Sequence, residues 1–130
     1  MSKTYEFLKE CKIFYLASIK DNSPAIRPFG AVMEYENELY FSTANTKDVY
    51  SQLSNNSAIQ IVALKNGTRE WIRISGKAVE VNDFKIKQAM LNACPVLIKH
   101  FNTNACPYFA LFKITEMHVL LNTDNGIIEL

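Results

Sequence analysis

Ala25-Ile-Arg27-Pro28-Phe29-Gly30-Ala-Val-Met-Glu-Tyr35, then Leu39-Tyr-Phe-Ser42-Thr43-Ala-Asn45-Thr46-Lys47-Asp-Val-Tyr50, is the stretch that decides how this chain is read. Two apolar runs flank Glu36-Asn37-Glu38, a tight turn, so Ala25 to Tyr35 and Leu39 to Thr43 are predicted as adjacent antiparallel strands. A short helix should follow over Lys47 to Leu53, with Val49 and Leu53 four apart on its inner face. Both strands end in residues that serve a bound anion better than a core. Arg27 interrupts an apolar strand, and arginine is seldom buried without a partner. Pro28 has no amide for a ladder, which places its strand at an edge or bulge, and Gly30 permits close approach of a flat ligand.

The loop that opens the helix is rich in donors: Ser42, Thr43, Asn45, Thr46 and Lys47. Thr46 suits a helix cap, which puts Lys47 in the first turn, where a cation opposes the helix dipole by roughly 0.3–1 kcal/mol. A phosphate at that end would reverse the sign, since lysine and free amides would share one anion. A solvated surface lysine is the plain alternative, as are ion pairs of Arg27 with Glu34 or Glu70. In Glu70-Trp71-Ile72-Arg73-Ile74-Ser75-Gly76, Trp71 and Arg73 share one strand face, so the indole is either core or a wall for a ring.

Outward from this segment, helices are expected over Thr4 to Cys11 and, capped by Asp83, over Asp83 to Cys94. Strands are expected over Ile13 to Ile19, apolar on both faces, and over Ala58 to Leu64, Trp71 to Val81 and Tyr108 to Leu121, with an apolar tail beyond. The fold class is mainly β (α+β): a six-stranded antiparallel barrel with peripheral helices, in one domain over residues 1–130.

At 130 residues, 21% charged and a formal charge of +1, the chain generates no field to draw nucleic acid or anionic membrane. No apolar run approaches the ~20 residues of a membrane span. No secretory pattern opens the sequence, and three irregularly spaced cysteines favour reduced thiols, so a cytoplasmic setting is expected. Cys94, His100, Cys106 and His118 lack the short spacing that presents two ligands from one turn, so no metal site is expected.

Taken in order and spacing, these segments resemble the FMN-binding split barrels related to pyridoxamine 5′-phosphate oxidase, and most closely the small NimA/NimC-like flavoproteins. The resemblance spans roughly Tyr5 to Leu121. It implies a split β-barrel homodimer with FMN sites at the interface. Arg27 would approach the phosphate side of FMN, and the backbone of Pro28, Phe29 and Gly30 would edge the flavin ring. Ser42 and Thr43 would contact flavin, Asn45, Thr46 and Lys47 would form the phosphate loop, and Trp71 would reach the ring system. Tyr108 and Phe109 are candidates for contacts from the second subunit. The chain ends Thr123-Asp-Asn-Gly-Ile-Ile-Glu-Leu130, without the closing Trp and Arg-Leu-Pro signature of the vitamin B6 oxidases. The implied activity is therefore an FMN-dependent oxidoreductase of nitroreductase type, acting on a small molecule with a nicotinamide donor. A non-catalytic flavin carrier or sensor, or a split barrel that binds haem or another ligand, are the alternatives.

Overall fold

Alternating burial along the strands shows where the sheet faces its core. The computed structural model describes residues 1–130. Its strands are β1 (Phe14–Lys20), β2 (Ser23–Phe29), β3 (Met33–Tyr35), β4 (Glu38–Ala44), β5 (Ala58–Leu64), β6 (Trp71–Glu80), β7 (Phe109–Thr123) and β8 (Gly126–Glu129). The helices are α1 (Lys3–Cys11), α2 (Asp48–Asn55), α3 (Phe84–Ala93) and α4 (Ile98–Phe101), the last preceded by a 3-10 turn at Pro95–Leu97. All strand pairs are antiparallel, in the order β2-β1-β5-β6-β7-β4-β3, with β8 on β7. The ends β2 and β3 do not pair, so the sheet curls without closing, as a split barrel does. No helix is long and apolar enough to cross a membrane.

Eight strands replace the expected six. The run Ala25 to Tyr35 breaks after Phe29, so β2 pairs with β1 while β3 pairs with β4. The expected apolar tail folds back as β8, with Thr123 opposite Gly126. Glu36 and Asn37 both take positive φ, the requirement of a two-residue turn that matches strand twist. Along β6 the register shifts between Ser75 and Lys77. A Cβ on Gly76 would meet the Thr115 carbonyl oxygen at 2.8 Å, so only glycine fits this bulge.

Two apolar clusters hold the elements. Phe14, Leu16, Phe41, Ile61, Ile72 and Ile74 fill the inside of the curl, with Leu8 of α1 and Leu53 of α2 against them. Met33, Tyr40, Leu111, Met90, Leu97 and Phe101 pack the outside of β3-β4-β7 under α3 and α4. Hence β4, with Phe41 inward and Tyr40 outward, and the first half of β7, with Phe112 inward and Leu111 outward, are covered on both faces. The expectation that Ile13 to Ile19 would be so covered fails: Tyr15 is 48% exposed, because no helix packs on the outer face of β1.

Candidate functional site

A cleft of about 950 Å³ opens where β2 and β4 end, between the start of α2 and the segment 96–108. Of the residues singled out from sequence, Arg27, Pro28, Phe29 and Gly30 of the β2 end, and Ser42, Thr43, Thr46 and Lys47, all line it. Asn45 and Trp71 do not.

Arg27 is held by neutral groups. Its guanidinium donates to Ser18 Oγ at 2.9 Å and to Gln52 Oε1 at 2.8 Å, and Ser18 Oγ donates to the same Gln52 oxygen at 2.6 Å. Ser18 and Gln52 are buried, so this triangle fixes the guanidinium without neutralising it. Burial pulls the Arg27 pKa down, and Asp48 opposes that pull. The ion pairs of the chain join Lys65 to Glu10, Lys77 to Glu116 and His118 to Glu129. Neither Glu34 nor Glu70 pairs with Arg27, and Lys47 likewise has no carboxylate within ion-pair distance. Lys20, at the end of β1, adds a third cation to the same cleft.

The helix opening differs from expectation. It starts at Asp48, Lys47 is the N-cap residue, and Thr46 does not cap it. No side chain accepts from its first-turn amides. The Lys47 carbonyl takes the Tyr50 amide at 3.1 Å, but a lysine side chain cannot accept a hydrogen bond, so the other first-turn amides are left to solvent or to an anion in the cleft. Ser42 supplies a second unfilled partner: its Oγ is buried, with no hydrogen bond, beside the cleft. An unsatisfied buried hydroxyl costs on the order of 1–3 kcal/mol.

Side chains divide the remaining roles. Phe29 packs its ring against Phe14 (5.9 Å) and Phe41 (5.5 Å), leaving backbone towards the cleft. Asn45, expected in the phosphate loop, instead braces the opposite wall: its Nδ2 donates to the Pro107 carbonyl at 3.0 Å and its N–H to that of Tyr108 at 2.9 Å. Trp71 lies outside the cleft of its own chain, with the Arg73 guanidinium 5.3 Å from its ring centroid. Tyr108 lines the cleft of its own chain. Phe109 is buried and stacked on Phe101 at 4.4 Å, so its ring is not free for a second subunit.

Sequence reading missed Gln52, Lys20 and the wall formed by Val96, Leu97, His100 and Phe101. Gln52 had a signal, a polar residue on the inner face of α2 beside Val49 and Leu53. The wall had none, since its position depends on how α3 and the 3-10 turn pack on β4 and β7.

Residues 2–119 match the family model described as pyridoxamine 5′-phosphate oxidase. The chain belongs to the pyridoxamine 5′-phosphate oxidase family. A NimC/NimA family protein from Clostridium acetobutylicum is 34% identical, with TM-score 0.89 over 98% of this chain and 90% of that one. A pyridoxamine 5′-phosphate oxidase-related, FMN-binding protein from Nostoc punctiforme is 15% identical (TM-score 0.68, 96% and 90% covered). A haem-binding protein from Mycobacterium smegmatis is 10% identical (TM-score 0.73), covering 95% of this chain and 57% of that one. These last two likenesses are of fold. No curated protein matches the sequence.

Proposed function

We propose that this member of the pyridoxamine 5′-phosphate oxidase family binds FMN and works as an oxidoreductase on a small molecule, with a nicotinamide compound as electron donor. The observation that carries the reading is one cleft holding Arg27 and Lys47, neither matched to a carboxylate, beside an uncapped helix end and the unpartnered Ser42 hydroxyl. A phosphate dianion supplies what the two cations and the helix end lack, and the flavin carries polar atoms to partner the Ser42 hydroxyl. Arg27, Thr46 and Lys47 would hold the phosphate, with Ser42 and Thr43 against the flavin. The exposed backbone of Pro28 and Gly30 would edge the ring. When bound, the flavin supplies the redox chemistry, and the chain supplies position, charge and exclusion of water.

We further infer a homodimer. The outer face of β2-β1-β5-β6 exposes Ile26 (65%), Tyr15 (48%), Val62 (38%) and Leu64 (58%). Tyr15 is in register with both Pro28 and Val62, so this apolar face runs up to the edge of the cleft. A second copy seated there would border the flavin, and its Trp71 and Arg73, on the neighbouring strand, are the residues it would bring.

The test is titration of the purified protein with FMN, read by flavin fluorescence and by a visible spectrum. We expect saturable binding, and for Arg27→Ala a loss of roughly 1.5–3 kcal/mol, as for a hydrogen bond to a charged group. A protein that leaves FMN free, or takes up haem in its place, ends the flavin reading. Unaltered affinity in the arginine variant would mean the phosphate lies elsewhere.

A further inference from the structure

Gln52, on the inner face of α2, is only 7% exposed and still lines the cleft. Its Oε1 accepts from two donors, Arg27 Nη2 at 2.8 Å and Ser18 Oγ at 2.6 Å. Ser18 Oγ in turn accepts from Arg27 Nη1 at 2.9 Å, so the three side chains close a ring. Arginine can only donate, which fixes the amide with its oxygen towards the guanidinium. Two of the five guanidinium donors are engaged in this ring, and the other three have no partner in the chain.

The informative feature is that residue 52 is an amide. A glutamate has the same shape and would accept from both donors, but it would also cancel the charge of Arg27. Glutamine does the first without the second. Leaving a half-buried guanidinium unneutralised works against folding, so the amide keeps in place a charge that packing alone would not favour. Asp48, one turn earlier on α2 and also on the lining, is not within ion-pair distance of Arg27. The helix thus brings a neutral acceptor to the guanidinium and holds its carboxylate away.

We infer that Gln52 is the positioning residue of phosphate recognition: it aims Arg27 into the cleft through its amide oxygen and leaves the whole charge for the ligand. Gln52 thereby sets the preference for a phosphorylated flavin over its dephosphorylated form. The inference rests on the flavin reading and adds to it a residue that acts only through Arg27.

The experiment compares FMN with riboflavin, the same ring without a phosphate, by fluorescence titration of the purified protein and its variants. Gln52→Glu keeps the acceptor and closes an ion pair, so FMN affinity should fall by roughly ten- to hundredfold, as for loss of a charge-assisted contact. Gln52→Leu keeps the charge and releases the guanidinium, and FMN should weaken by roughly three- to tenfold. Riboflavin should stay within about twofold in both, because nothing changes at the ring. A merely structural glutamine would move both flavins together. In an Arg27→Ala background, Gln52→Leu should change FMN affinity by less than about twofold, since nothing is left for it to position. Gln52→Glu, close in shape to the native residue, decides the matter if the leucine variant does not fold.

If Gln52→Glu leaves the ratio of FMN to riboflavin affinity unchanged, or Gln52→Leu lowers both alike, the inference falls and the flavin reading stands. If Gln52→Leu still weakens FMN once Arg27 is gone, Gln52 acts by another route and the inference falls as well. If the unaltered protein takes up no FMN, both readings fail together.

Discussion

The N-termini of α2 and α3 show what this chain does with a helix end it means to close and with one it leaves open. Asp83 caps α3, accepting from the Lys85 amide at 2.8 Å and the Ile86 amide at 3.2 Å. Ser2 does the same for α1 through the Tyr5 amide at 3.1 Å. At α2 the equivalent position is Lys47, whose side chain has a charge of the wrong sign for the dipole and no acceptor to offer, although Asp48 next to it has the favourable sign. The uncapped end of α2 faces the cleft, and the short α4 lacks a side-chain cap as well. Under the proposed function, the missing cap at α2 is where stability is given up for a ligand.

Exchanging the two arrangements should have opposite consequences. Lys47→Asp would place a capping carboxylate where the phosphate is proposed to sit. We expect FMN affinity to fall by about a hundredfold or more in fluorescence titration, at the upper end for one charge-assisted contact because a repulsion replaces it. The same variant without cofactor should be more stable to urea by about 1 kcal/mol, the usual worth of an N-cap. A loss of binding together with a loss of stability would show that Lys47 has a structural duty instead. Asp83→Ala should cost about 1 kcal/mol in the same denaturation and leave FMN titration unmoved, because neither Asp83 nor the first turn of α3 lines the cleft. If both helix ends shift FMN affinity equally, the contrast between them is not about a ligand.

A smaller effect distinguishes the ends from the packed interior. Burial pushes up the thiols of Cys11 and Cys94 and the phenol of Tyr40, and the hydrogen bond to Glu80 pushes up Tyr50. Each folded-state pKa lies above its unfolded value, so this stabilisation is complete below the ordinary thiol and phenol range. It is lost as pH rises through the folded values. Tm from these groups should therefore be flat between about pH 6 and 8 and fall above about 9, cysteines first. A fall beginning near neutrality would contradict it.

Much of this was legible in the residues because the signals were local. The turn at Glu36-Asn37, the alternation of Ile72 and Ile74 against Trp71 and Arg73, and the cap at Asp83 each depend on a few neighbours. Most of the residues expected at one site meet in one cleft for the same reason: strand ends and a helix start lie next to each other. Coverage was not legible. Whether a strand such as β1 or β4 is packed on both faces depends on where distant helices land, and both strands are rich in apolar residues. Trp71 and Asn45 lie off the cleft lining of their own chain for a different reason. Their types suit a ligand, yet the same chemistry lets the indole lie against Arg73 and the side-chain amide bind the Pro107 carbonyl of the facing loop, beside the backbone hydrogen bond to Tyr108.

That amide has one more implication. Asn45 fastens the stretch that carries the cations, residues 18–52, to the facing wall at 96–108. Two hydrogen bonds from one residue therefore set the width of the cleft mouth, and severing them would let the walls part while every cation kept its own seat.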